Sequence, residues 1–255
     1  MNCKRMKLFF SVLLVFIAVT VRSQDIGVLF KEADNYEKQQ KEPEALDKYK
    51  QILGLEPDNI KALVKAAELN ISLSNRQADK NGKRLYIESS LSFAKRAILA
   101  DSNNADANYA MAMASGKMTD VETENKKIVA LVKDAKKYAE KSLSINTNHA
   151  KAHYTLGKWN YEMVNLSGIK KIAVKLLYGG LPGGDMDSAI SHMEKCKTLE
   201  PYFVTNFLDL AKAYKDNHQP AKAIEVLNRL VKLPTRTTDD VALKAEGNKL
   251  LESMQ

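Results

Sequence analysis

His149 and His153 stand four residues apart in "HAKAH", so a helix would turn both imidazoles to one face, a spacing at which two histidines can share a metal ion. Nothing completes such a site. The glutamate of the metalloprotease pattern is missing, no third ligand is evident, and His153 falls on a position that the surrounding pattern assigns to the core. Cys196 has His192 four residues before it, an arrangement in which an imidazole could draw off a thiol proton. Yet Cys196 occupies a small, core-facing position, and free cysteine is commonly buried. "GGLPGGD" at 179–185 has the glycines of a phosphate-cradling loop but neither a following Lys-Ser/Thr nor a preceding strand, so a connector is expected. These residues predict no catalytic set, no metal and no cofactor. An enzyme or metal protein using His149 and His153 is the alternative.

The elements that must carry these residues follow one recurring pattern. "EALDKYKQILGLEPDN" sets Ala45, Tyr49, Ile52 and Pro57 at offsets that Ala189, Met193, Cys196 and Pro201 repeat. Ala223, Leu227, Leu230 and Pro234 nearly do so again. Each is a helix with a small, a large and a small or medium residue on one face, then a proline stop. The helices before them agree, with Leu29, Ala33 and Tyr36 in one and Phe207, Leu210, Ala211 and Tyr214 in another. Small residues let two antiparallel helices approach closely, and large ones fill the space between successive pairs.

This pattern resembles the tetratricopeptide repeat, a helix–turn–helix unit. In that register the units begin near Ile26, Ile60, Ala105, Ala150 and Val204, and a capping helix covers about 238–254. The middle three units carry extra residues between their two helices, the largest insertion spanning 164–184. The predicted fold is all-α: a right-handed α-superhelix of about five repeats, with residues 24–255 as one domain. Inside the insertion, Ile169, Ile172, Ala173, Leu176 and Leu177 line one side of a helix, and Lys170, Lys171 and Lys175 much of the other. That helix, 169–178, is expected to dock on its own repeat beside Trp159 and Met163. The alternative is a membrane-surface adaptor.

"LGKWNYEMVNLSGIKKIAVKLLYGG" narrows the resemblance. Leu156, Gly157, Trp159, Tyr161, Glu162, Leu166 and Ser167, with the apolar-basic helix and Gly/Pro loop after them, are similar to the regulator of microtubule dynamics family, most strongly over 152–202. That resemblance implies a helical scaffold and protein binding, with no catalytic residues to carry over.

A superhelix of this kind offers a concave face lined by the first helix of each unit. Its binding candidates here are Tyr109, Met113, Tyr154, Lys158, Tyr161, Leu208, Lys212 and Lys215, flanked by Phe30, Asp34, Val64 and Glu68. Aromatic and apolar groups would anchor a protein or peptide partner, and Lys158, Lys212 and Lys215 would attract a carboxylate.

Lys4, Arg5 and Lys7 precede an apolar run from Leu8 to Val21, the order of a signal peptide cleaved near Ser23-Gln24. A retained anchor is the alternative. Losing residues 1–23 leaves 35 Lys and Arg against 31 Asp and Glu, and lowers the net charge from +8 to +4. That excess is too mild to argue for nucleic acid. The expectation is an exported scaffold, periplasmic or extracellular. An exported chain does not meet cytosolic microtubules, so the resemblance transfers fold rather than a tubulin-related role. One cysteine remains, so packing rather than an internal disulfide must hold the fold. Oligomeric state is left open.

Overall fold

The helices begin where local chemistry allows. Pro43 and Pro220 stand in the first turns of theirs, where a missing N–H costs nothing. Asn59 and Asn104 each accept from a backbone N–H three residues on, at Ala62 and Ala107. Asp79 and Asp185 cap in the same manner, taking the N–H groups of Gly82 and Ser188.

In the computed structural model, which describes residues 26–166 and 180–254, these starts open eleven helices, and no strand is present among the described residues. They are α1 (26–38), α2 (Glu42–Leu55), α3 (Ile60–Asn75), α4 (Lys80–Ala100), α5 (Ala105–Met118), α6 (Asn125–Ile145), α7 (Ala150–Asn165), α8 (Met186–Leu199), α9 (Val204–Asp216), α10 (Pro220–Leu230) and α11 (Asp240–Glu252). The apolar run at 8–21, the cleavage point and the amphipathic 169–178 segment lie outside the described residues. None of the described helices is long and apolar enough to cross a membrane.

Consecutive helices pack as antiparallel pairs, and the first helices of successive units also touch, α3 on α5, α5 on α7, α7 on α9 and α9 on α11. This inner row, backed by α4, α6, α8 and α10, is the superhelix of helical repeats that the residue pattern predicts. The small positions are where helices meet: Ala45, Ala94, Ala139, Ala189 and Ala223 are wholly buried. Tyr49, Ile52, Leu63, Phe207 and Leu227 fill the spaces between. Burying a side chain of that size stabilises by about 1.5–3 kcal/mol.

The extra residues of the second and third units are taken up in a way the spacing did not predict. They lengthen the second helices, so α4 and α6 each run 21 residues against 16 in α3 and 14 in α5. Their sequences are rich in Lys, Leu and Ala, good helix formers. The extension also covers a small core of its own: Ile71, Ile87, Met118 and Val121 are buried together, with Leu91 and Leu131 against them.

After the fourth unit's insertion the chain returns along α7. Gly184 is pressed so close that a Cβ there would lie 2.5 Å from both the Asn160 carbonyl oxygen and the Met163 Cβ. Leu181 joins Trp159, Met163, Ala135 and Val132 in an apolar cluster. One contact spans the stack. Asp239, immediately before α11, accepts from Asn75 Nδ2 at 2.8 Å and from the Arg76 guanidinium at 3.1 Å, both at the end of α3.

Candidate ligand-binding face

His149 and His153 do not converge. His149 is the N-cap of α7: its Nδ1 accepts from the Ala152 N–H at 3.0 Å, and its Nε2 lies 3.0 Å from Asp106 Oδ1 on α5. It does what Asn104 and Asn59 do one and two units earlier. Positions 59, 104 and 149 advance in equal steps, a signal in the sequence that marks the histidine as a cap. His153 turns the other way, with Nε2 3.0 Å from the Thr147 carbonyl and Nδ1 2.8 Å from His192 Nδ1 on α8. Among the described residues no group of three His, Cys, Asp or Glu side chains could hold a metal. Cys196 is wholly buried, and burial, with nearby Glu200, pushes its thiol up to about 12, which leaves no thiolate at neutral pH.

The inner row carries two polar clefts. The first, of about 220 Å³, is lined by Lys61, Val64, Lys65 and Glu68 of α3, Asp106 and Tyr109 of α5, and His149 and Lys151 at the start of α7. Glu68 is its centre: Oε1 accepts from Lys151 Nζ at 2.7 Å and from Tyr109 OH at 3.0 Å. Burial alone would raise the Glu68 carboxyl, but Lys151 and Lys65 outweigh it and hold the group below its ordinary value. The Tyr109 hydroxyl, buried beside that carboxylate, is driven well above the normal phenol range. The ion pairs continue outward, Lys65 to Glu37 at 2.8 Å, and Glu37 then accepts from the Tyr49 hydroxyl at 2.5 Å. Its Glu68, Lys65, Lys151 and Tyr109 side chains are paired within the chain, and Lys61 lies over the Phe30 ring, 4.5 Å from its centroid.

The second cleft is larger, about 420 Å³, and lies where α7, α9 and α11 meet, lined by Tyr161, Lys212, Lys215, Asp216, Glu246, Lys249 and Leu250. Beside it, Asp209 receives the Tyr154 hydroxyl at 2.8 Å and the Lys158 ammonium at 3.2 Å. Desolvation would lower the Lys158 value, but Asp209 and Glu162 raise it. Lys212 reaches Glu246 at 2.7 Å, and Tyr161 donates to Asp216 at 2.7 Å.

The candidates therefore divide. Tyr161, Lys212 and Lys215 are brought together at the second cleft. Tyr109 lines the first, with Met113 Sδ 3.4 Å from its hydroxyl. Lys158 and Lys212, expected to await a ligand carboxylate, already face carboxylates of the chain itself. Leu208 is only 2% exposed and packs in the core with Phe207 and Leu227. Lys151, Asp209, Glu246 and Lys249 were missed. The clue for Asp209 was an acid inside the otherwise apolar "FLDLA"; Lys151 and Glu246 had none, because their partners Glu68 and Lys212 sit in other helices, and nothing in its own turn marks Lys249.

The model of a family described as regulator of microtubule dynamics protein 1-3 matches residues 29–255. Regulator of microtubule dynamics protein 1 of Bos taurus is 25% identical over 170 residues, 66% of this chain and 53% of the relative. Regulator of microtubule dynamics protein 3 of Xenopus laevis is 28% identical over 165 residues, 64% of this chain and 35% of the relative. The chain thus spans about half, or less, of the length of these curated relatives. Among solved structures, a thermophilic tetratricopeptide repeat protein of Thermus thermophilus superposes with a TM-score of 0.62 at 13% identity, covering 89% of this chain and 99% of the other. That likeness is one of fold alone.

Proposed function

This chain belongs to the regulator of microtubule dynamics family, and from that premise we propose that it is a non-catalytic scaffold whose concave face binds an acidic segment of a protein partner. The observation that carries this reading is the second cleft. Lys215 and Lys249 line it, and neither has a carboxylate partner among the described residues, whereas Lys212 opposite is already paired. An extended peptide lying along α7, α9 and α11 would set its carboxylates against these two ammonium groups and rest an apolar side chain on Leu250 and the Tyr161 ring.

The basic-then-apolar order of residues 4–21 supports export before binding, with the partner outside the cytosol. A microtubule-related partner, which the relatives' name brings in, is the second reading. It requires the chain to remain where microtubules are, so localising the full chain in its own cells separates the two.

Fluorescence anisotropy with labelled acidic peptides and their Asn/Gln counterparts tests the cleft. We expect binding of the acidic set only, weakening with salt and falling about tenfold in the Lys215→Gln, Lys249→Gln double variant. Equal binding of neutral and acidic peptides, or none of either, would count against it.

A further inference from the structure

In a stack of helical repeats each unit touches only its neighbours, so curvature accumulates from small unit-to-unit rotations and the ends do not ordinarily restrain each other. Here they do. The Asp239 carboxylate, next to the capping helix α11, takes one hydrogen bond on each oxygen from the end of α3: Asn75 Nδ2 at 2.8 Å and the Arg76 guanidinium at 3.1 Å. The other terminal nitrogen of Arg76 pairs with Glu42, 6% exposed at the start of α2. Arg76 is thus fixed from behind by the first unit and presents its free edge to the cap.

The two neighbouring aspartates divide the work at this point. Asp239 is the N-cap of α11, where a side-chain oxygen normally accepts from its own helix, yet it makes no such bond. Asp240, 4% exposed, gathers the local donors instead, accepting from the N–H groups of Arg236 at 2.7 Å and Thr237 at 2.9 Å and from the Thr237 hydroxyl at 2.7 Å. Asp239 is left without a duty to its own turn, and its side chain bonds across the gap instead.

We propose that Asp239, Arg76 and Asn75 form a latch that closes the superhelix on itself and sets access to the concave face. This is regulation of the face assigned above, and it rests on that reading only for what is enclosed. The closing contact is built to open. The Asp239 and Arg76 side chains are 24% and 31% exposed, so salt and competing ions reach them. The Glu42 end is buried and keeps Arg76 in place when the cap leaves. Opening then moves α11, which supplies Glu246, Lys249 and Leu250 to the larger cleft, away from the α3 end while the neighbouring units stay packed.

The test is a distance. Leu85 on α4 and Val241 on α11 are 66% and 64% exposed, so Leu85→Cys and Val241→Cys accept spin labels in the full chain carrying Cys3→Ser, with Cys196 buried out of reach. In Asp239→Asn, which keeps the side chain's shape, the distance distribution is expected to move to longer values, with the open population raised up to about fivefold. Raised salt is expected to do the same to the unaltered chain and little more to the variant. Asp120→Asn, which breaks an exposed pair with Lys117 outside both labelled helices, leaves the distribution alone. Distances unchanged both in Asp239→Asn and in high salt overturn the latch. If the variant loses its helicity, salt on the unaltered chain decides alone: a shift supports the latch and none overturns it. No arm contains a peptide, so failure of peptide binding would sink the concave-face reading and leave this one intact.

Discussion

The Nδ1 atoms of His153 and His192 lie 2.8 Å apart across the α7–α8 pair. Because His153 Nε2 must donate to the Thr147 carbonyl, a neutral His153 can only accept at Nδ1, and His192 donates to it. Burial lowers the proton affinity of both rings. Lys195 and His149 lower that of His153 further, and His153 that of His192. One added proton can be shared across the pair; a second sets two imidazolium groups against each other.

Acid should therefore weaken the fold through this pair. Both folded values lie below the unfolded value of 6.5, so the unfolded chain binds more protons in the window beneath it. The stabilisation is complete above about pH 6.5 and is lost as pH falls through the folded values. Both rings are half-buried, so the slope stays well under about 1.4 kcal/mol per pH unit for each. Urea unfolding at about pH 7.5 and about pH 5.5 measures it, and His192→Gln should flatten the difference. An equal loss in that variant would assign the acid sensitivity elsewhere.

Glu68 is expected to matter more as a charge than as a shape. Glu68→Gln leaves Lys151 in a partly buried site without its counter-charge, while Lys65 keeps Glu37, and should destabilise by about 2–4 kcal/mol at neutral pH. Adding Lys151→Met removes the stranded ammonium and should recover much of the loss. The lowered value of Glu68 implies stability held above its ordinary 4.5 and lost on acidification below it, a limb absent from Glu68→Gln. Strict additivity of the two substitutions in denaturant would show that the pair is not coupled.

Two helical glycines should respond in opposite directions. At Gly157 in α7 a Cβ would lie 2.9 Å from Met193 Cγ and 3.0 Å from the Ala189 carbonyl oxygen of α8, and the backbone oxygen cannot yield. Gly157→Ala should cost about 1–2 kcal/mol, overpacking exceeding the helix-propensity gain. At Gly116 in α5 the nearest atom is Ala135 Cβ at 3.9 Å, so Gly116→Ala should be neutral or stabilising by up to about 1 kcal/mol. Thermal melts of both variants give the comparison, and a stabilised Gly157→Ala would contradict the close α7–α8 approach.

The helix pairs were legible because their code is local. Ala45, Tyr49 and Ile52, or Ala189, Met193 and Cys196, are small and large residues at fixed offsets, and each is buried where the offset demands. The lengths of α4 and α6 were not legible, since Lys-rich sequence suits a solvated loop's charge as well as a helix's outer face. At the candidate face the engagements of the side chains were not legible. Tyr154 and Lys158 meet Asp209 across two units of the stack, and no spacing rule within one unit carries that information. The cap role of His149 emerges once the two asparagines in its register are set beside it.

Repeat stacks commonly gain and lose units over evolutionary time, since one helix pair can follow any other of matching faces. A bond between Arg76 and Asp239 makes this stack count. One helix pair more, or one fewer, between them would rotate and translate Asp239 away from the guanidinium while leaving every neighbouring interface intact. The unit number between those two positions is thereby tied to a single bond, whereas a lengthened second helix such as α4 or α6 alters the wall without altering that count.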